Sequence, residues 1–339
     1  MNVITRLTRW ACVCAGLLVA MHAAQASCLG DKPLRGVNMA GAEFNSAKMP
    51  GTLFKDYTYP SAADLRYFAD QGANTIRLPF RWERMQRTPG GSLDAGEVKV
   101  MAKVVESAKQ MGLCLILDAH NYGTYGKQPV GSAELPASML SDFWLRMSEA
   151  FADADHVAFG LMNEPAHAGR SDWARTAQEV VTALRGAGSR HLVMVSGAGW
   201  SGAHDWMHPH KGLSNAQAFA GLTDPLKRSV IEVHQYADHN ASGMNKDCIA
   251  PERMRGILKR VGDWASANNQ RLFLGEFGVP PDPACLETLK AQLEAMREAP
   301  WAGWTYWAAG AWWGNYPFSV HPLAGGVPRA QLALLKEEW

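Results

Sequence analysis

Residues 96–122 read GEVKVMAKVVESAKQMGLCLILDAHNY. A helical stretch over 96–111 is followed by Gly112, an apolar run over 113–117, and then Asp118-Ala119-His120-Asn121-Tyr122. Gly112 stands where a helix C-cap is expected, and the short apolar run reads as a strand. The same unit recurs outward in both directions. Strand-type runs fall at 34–40, 74–80, 113–120, 157–163, 191–196, 228–236, 272–277 and 303–307. Helical stretches occupy 62–71, 96–111, 140–151, 173–185, 251–267, 284–298 and the neighbourhood of 330–337. Gly72 and Gly186 are placed as further C-caps. Strand–helix alternation implies parallel strands, and eight strand-type runs in that alternation imply the α/β class closed into a (β/α)8 TIM barrel. An open doubly wound sheet would want a glycine-rich phosphate turn after its first strand. Gly36-Val37-Asn38-Met39-Ala40-Gly41 has the wrong spacing and context for one. No Pro/Thr/Ser-rich linker interrupts the chain, so residues 27–339 form a single domain.

Composition narrows the classes of protein that remain. The chain has 339 residues, 47% apolar and 19% charged, with 32 Gly, 18 Pro and no biased tract, which excludes a disordered or fibrous protein. Lys+Arg (33) and Asp+Glu (32) nearly cancel, which argues against nucleic-acid binding through a basic face. Thirteen Trp against 8 Tyr and 11 Phe is a high share, and some of those rings are expected on a surface that meets a flat ligand.

Residues 1–26 read as a secretory signal. Arg6 and Arg9 open it, an apolar stretch follows, and Ala24-Gln25-Ala26 fits small-x-small cleavage. The apolar run is too short for a comfortable membrane span, so the product is expected to be extracellular or periplasmic and not membrane-bound. Cys12 and Cys14 leave with the signal, and Cys28, Cys114, Cys248 and Cys285 remain for an oxidising compartment. Cys248 and Cys285 lie in polar, Pro-flanked loops and are the expected disulfide. Cys114, inside its apolar run, reads as a buried free thiol.

A barrel of this kind places its chemistry at the C-terminal ends of the strands. Those ends carry Arg77, Asp118 to Tyr122, Asn163-Glu164-Pro165, His234-Gln235-Tyr236, Gly275-Glu276-Phe277-Gly278 and Trp307. Two carboxylates, Glu164 and Glu276, stand across the mouth, and glycosidic cleavage needs such a pair. Taken singly, Glu276 could be a salt bridge to Arg77 and Glu164 a helix N-terminal charge. His120 could be a satisfied core histidine, and Tyr236 and Trp307 could be barrel filler.

The ordered set carries more than its members. Asn163-Glu164-Pro165 after Phe159-Gly160-Leu161-Met162, with Gly275-Glu276-Phe277-Gly278, resembles the acid/base and nucleophile motifs of family 5 glycoside hydrolases. Residues 74–80, 118–122, 234–236, Trp307 and Trp312-Trp313-Gly314 complete a resemblance running from Arg35 to about Gly314. His120-Asn121-Tyr122-Gly123 and Gly197-Ala198-Gly199-Trp200 are most similar to the secreted microbial endo-β-1,4-glucanases of that family. The resemblance implies a retaining hydrolase with Glu164 as acid/base and Glu276 as nucleophile. Arg77 would keep Glu276 charged and aimed, Tyr236 would donate to it, and Asn163 would bond the sugar 2-hydroxyl. His120 and His234 would orient substrate or carboxylates. Trp307 would form a sugar platform, with Trp200, Trp206, Trp312 and Trp313 as further stacking candidates, at least one of them loop packing instead.

His204-Asp205-Trp206-Met207-His208-Pro209-His210 matches no common zinc spacing, and no metal or cofactor is expected. Asn240-Ala241-Ser242 is a glycosylation sequon. Thr124 stands where the resemblance implies Arg, which bears on a substrate-loop contact. The expectation is a secreted monomer that cleaves internal bonds of β-1,4-glucan. The alternatives are a β-mannanase or mixed-linkage glucanase with the same two Glu, a noncatalytic carbohydrate-binding barrel, and a metal-dependent hydrolase.

Overall fold

The computed structural model describes residues 27–210 and 212–339, so the secretory signal expected over residues 1–26 lies outside the described residues. Eight strands form the barrel: β1 (Leu34–Met39), β2 (Thr75–Phe80), β3 (Cys114–Ala119), β4 (Val157–Gly160), β5 (Leu192–Ser196), β6 (Ser229–His234), β7 (Leu272–Glu276) and β8 (Trp301–Ala309). Each pairs in parallel with its neighbours in sequence, and β8 closes on β1. Helices stand outside the strands, and their starts and stops follow local chemistry. Ser61 and Asp64 form a capping box ahead of Ala62–Gln71, and Gly72 ends that helix at φ 112°. Gly186 does not serve as expected. It closes the helix Arg170–Gly186 in helical geometry, and Gly188 takes the left-handed position at φ 80°.

The strand interiors explain how a packed barrel becomes a polar site. Leu34, Cys114, Ile116, Ala158, Leu192, Met194, Val230 and Phe273 fill the lower interior as one apolar cluster. Two residues further along the same strand faces come Asp118, Glu232 and Gly275, because side chains on one face recur every second residue. The register ties them together: Asn38 pairs with Arg77, Pro79 with Asp118, and Ser196 with Glu232. The apolar plug thus gives way to charge within a single step of the pleat.

Cys114 is not a free thiol. It is the first residue of β3, turned into the floor of the barrel, and Cys28 reaches it from the entering segment with Cα atoms 5.0 Å apart. The apolar neighbours that suggested a core thiol are those of the barrel interior. Cys248 and Cys285 form a second disulfide, with Cα atoms 5.3 Å apart. The abundance of tryptophan is mostly structural: Trp82, Trp144, Trp173, Trp206 and Trp304 are fully buried. Trp206, a stacking candidate in the sequence, packs on Trp264 and Phe219. Among the described residues no helix is long and apolar enough to cross a membrane.

Candidate active site

Arg77, fully buried on β2, is the hub of the barrel mouth. Its Nη1 donates to Asn38 Oδ1 (2.8 Å) and Glu276 Oε1 (3.0 Å). Its Nη2 donates to Asn163 Oδ1 at 2.8 Å and lies 2.9 Å from Glu232 Oε1 and 3.0 Å from Asp118 Oδ1. Burial disfavours its charge, but Asp118, Glu232 and Glu276 reverse that and hold the guanidinium protonated. A buried cation without those partners would cost several kcal/mol, on the order of the ~3–5 kcal/mol of a broken buried pair.

Glu276, the last residue of β7, is gripped from two sides. Arg77 takes Oε1, and the Tyr236 hydroxyl donates to Oε2 at 2.8 Å. Glu164 follows β4 in a left-handed backbone conformation, φ 41°, that a side chain bearing Cβ rarely adopts. Its Oε1 lies 2.7 Å from His234 Nδ1. Burial raises Glu164 above the ordinary carboxylate range, while the His234 contact pulls the other way. Burial would also strip His234 of its proton, but Glu276, Glu164 and Glu232 outweigh it and push the imidazole up to about 10. Glu164, His234 and Glu276 bring one ligand atom each within 4.8 Å of one another. A cation there would have to displace the proton that His234 shares with Glu164.

His120 behaves in the opposite way. Burial lowers it to about 3, so the ring is neutral, with Nδ1 2.8 Å from Asp118 Oδ2 and Nε2 3.3 Å from the Asn163 amide nitrogen. Asp118 is itself raised by burial to about 7, against the pull of Arg77. Asn163 is therefore locked at both ends of its amide, by Arg77 and by His120. Trp307 stacks on the His120 ring at 5.6 Å and meets Trp313 edge-on. The peptide between Trp307 and Ala308 is cis.

A (β/α)8 barrel that brings two carboxylates together at its strand ends, with a tryptophan beside them, has the architecture of a glycoside hydrolase. Residues 37–312 match the family model for cellulase, glycosyl hydrolase family 5. The endo-beta-1,4-glucanase B of Emericella nidulans is 31% identical over 304 residues, 89% of this chain and 90% of that protein. XacCel5A, solved in complex with cellopentaose, is 44% identical, with a TM-score of 0.89 over 91% of this chain and all of that one. The Pseudomonas stutzeri endoglucanase Cel5A, solved with cellobiose, is 30% identical, with a TM-score of 0.83 over 91% of this chain and 95% of that one. The chain belongs to glycosyl hydrolase family 5.

Arg77, His120, Asn163, Glu164, His234, Tyr236, Glu276 and Trp307 converge on one cluster. Trp200 and Trp312 stand apart from it, 53% and 42% exposed, so either can offer a ring face to a ligand. Trp200 meets Tyr122 edge-on at 5.9 Å, and Tyr122 in turn meets His120. Trp313 is committed to packing between Phe44 and Tyr316. Thr124 joins a two-stranded ribbon, Thr124–Tyr125 with Gln128–Pro129, and its hydroxyl donates to Asn121 O. Among the described residues His204, His208 and His210 form no metal-ligating group with Asp205.

Asn38 and Glu232 did not stand out in the sequence, and Asp118 stood out only as part of a strand end. The signal for Glu232 was its place two residues before His234 and two after Val230, on the inward face of β6. Glu43 also went unnoticed: it lies in the loop after β1, is buried, and accepts from Gly41 N at 2.7 Å. Burial pushes it up to about 8, against that backbone hydrogen bond.

Proposed function

We propose that this chain is a secreted, retaining endo-β-1,4-glucanase in which Glu276 is the nucleophile and Glu164 the acid/base. The observation that carries the reading is the proximity of the two carboxyl groups, whose oxygens lie within 4.8 Å. Inverting enzymes leave room for a water and keep their carboxyls about 6.5–9.5 Å apart, whereas retaining enzymes hold them about 5–5.5 Å apart. In the first step a Glu276 oxygen bonds to the anomeric carbon while the Glu164 proton passes to the departing glycosidic oxygen. In the second, Glu164 takes a proton from water, whose oxygen displaces Glu276 from the anomeric carbon.

Arg77 and Tyr236 supply the positioning that an in-line attack demands, since both Glu276 oxygens have a donor. The remaining N–H of Asn163 is free to meet the sugar 2-hydroxyl, where contacts strengthen as the oxocarbenium ion forms. Trp307, stacked on His120 within the cluster, is the sugar platform of this reading, and exposed Trp200 and Trp312 are further rings that a longer glucan chain can meet. The two disulfides suit an oxidising compartment outside the cytoplasm.

Reducing-end release from carboxymethylcellulose, β-mannan and xylan, run in parallel, tests substrate and residues together. Turnover on the cellulose derivative is expected to fall by on the order of a thousandfold or more in Glu276→Ala and Glu164→Gln. Higher activity on mannan would overturn the substrate. Near-normal turnover in either variant would overturn that residue's role.

A further inference from the structure

Glu232 is a fully buried carboxylate that takes no direct part in the two-step displacement. It rises from the middle of β6, and its Oε1 lies 3.0 Å from His234 Nε2 and 2.9 Å from Arg77 Nη2. The opposite ring nitrogen of His234, Nδ1, faces Glu164 Oε1 at 2.7 Å. Each imidazole nitrogen therefore meets a carboxyl oxygen: the ionised Glu232 can only accept and so calls for a proton on Nε2, and Nδ1 donates to Glu164 Oε1 when the ring is charged. The neighbouring strand is cut to fit. A Cβ at Gly275 would lie 2.3 Å from Glu232 Oε1, so the residue before Glu276 has no side chain where this carboxylate sits.

We propose that Glu232 is a positioning residue for the acid/base, acting through His234: its carboxylate accepts the Nε2 proton, aims Nδ1 at Glu164 and keeps the ring charged beside it. The inference rests on Glu164 being the acid/base. Six groups face the ring or its neighbours: Glu164 from the loop after β4, Glu232 from β6, Glu276 from β7, Arg77 from β2, and Asp118 and His120 from the end of β3. Burial alone would raise Glu232, yet Arg77 and His234 hold it below its ordinary range, so it contributes a standing negative charge. Two buried cations, Arg77 and His234, then face Glu232 and Glu276, and a proton on Glu164 leaves that balance undisturbed. Removing the Glu232 charge tips the site positive and makes the shared proton easier to lose.

The test is the pH dependence of kcat/KM on an aryl β-cellotrioside for wild type, Glu232→Gln, Glu232→Asp and Glu164→Gln. In Glu232→Gln the alkaline limb is expected to move down by about one to two pH units. Glu232→Asp, which keeps the charge, is expected to restore it. A lower rate with the limb unmoved would show a structural role only and overturn the proposal. Glu164→Gln keeps the two readings apart. If it retains wild-type rate and limb, the assignment of Glu164 fails. If it removes the limb while Glu232→Gln leaves it in place, only the role of Glu232 fails. A measurement on the wild-type enzyme guards against a variant that does not fold: ¹⁵N NMR of the His234 ring at about pH 8. Two protonated nitrogens are expected, and a neutral tautomer would overturn the proposal.

Discussion

Glu164 holds a left-handed backbone conformation between two residues that do not, which costs on the order of 1 kcal/mol and persists because its surroundings fix it. Asn163 on one side is clamped by Arg77 and His120, and His234 holds the Glu164 side chain itself. Glu43 shows a different use of burial. Its carboxyl is neutral in the fold up to about pH 8 but ionises near 4.5 in the unfolded chain. Its contribution to stability is intact below about 4.5 and is lost as pH rises through 8. Glu43→Gln cannot ionise and can still accept from Gly41 N. Urea unfolding at pH 5 and pH 8 should therefore show the variant losing less stability than wild type, by roughly 1–3 kcal/mol. Parallel pH profiles would contradict this account of Glu43. The role of Glu43 was not legible in the sequence, because its burial depends on how the loop after β1 folds over the barrel mouth.

At the scale of elements, all eight strands were legible as short apolar runs set in the strand–helix alternation. Two helices start three residues earlier than expected, Ala137–Ala150 and Arg170–Gly186, and their N-caps Pro136 and Gly169 make no side-chain hydrogen bond that would mark the start. The short helices Trp82–Met85 and Asn215–Phe219 are too brief to show a period and were not expected. The loop after β6 has an architecture of its own. Asp238 accepts from Gly243 N (2.9 Å), Ser242 Oγ (2.7 Å) and Asn245 Nδ2 (2.9 Å), and Cys248 ties the loop's end to Cys285. The sequon residue Asn240 is exposed in this loop, with its Oδ1 facing Ser242 Oγ and Asn245 Nδ2. Gly243, at φ 68°, lies against the Tyr236 ring, where a Cβ would meet ring carbons at 2.8 Å. Gly243→Ala is therefore expected to displace the tyrosine that grips Glu276. kcat should fall by on the order of 10- to 100-fold with KM little changed. Steady-state kinetics beside a thermal unfolding curve check this, and an unchanged kcat would remove the loop from the account.

Across the whole molecule, the barrel trades stability for chemistry in one layer. Below it, side chains from β1 and from β3 to β7 pack as an apolar plug stapled by Cys28 and Cys114. Above it, Arg77, Asp118, Glu232, His234 and Glu276 are buried together, a costly set that holds only because each has a partner. The sequence revealed Glu164, His234 and Glu276, which lie at or just past strand ends where a polar residue breaks an apolar run, and Arg77, a charge inside the apolar run of β2. It concealed Asn38 and Glu232, which sit inside strands and face inward, and it concealed the pairing of Cys28 with Cys114, which depends on where the entering segment crosses the floor. The central claim is that the chain hydrolyses β-glucan through a covalent bond to Glu276. The most direct measurement is peptide mapping by mass spectrometry after reaction with a 2-deoxy-2-fluoro cellobioside bearing a good leaving group. The account predicts one glycosyl ester, on Glu276, formed as activity is lost. An ester on another residue, or turnover of the reagent with no adduct, would contradict it.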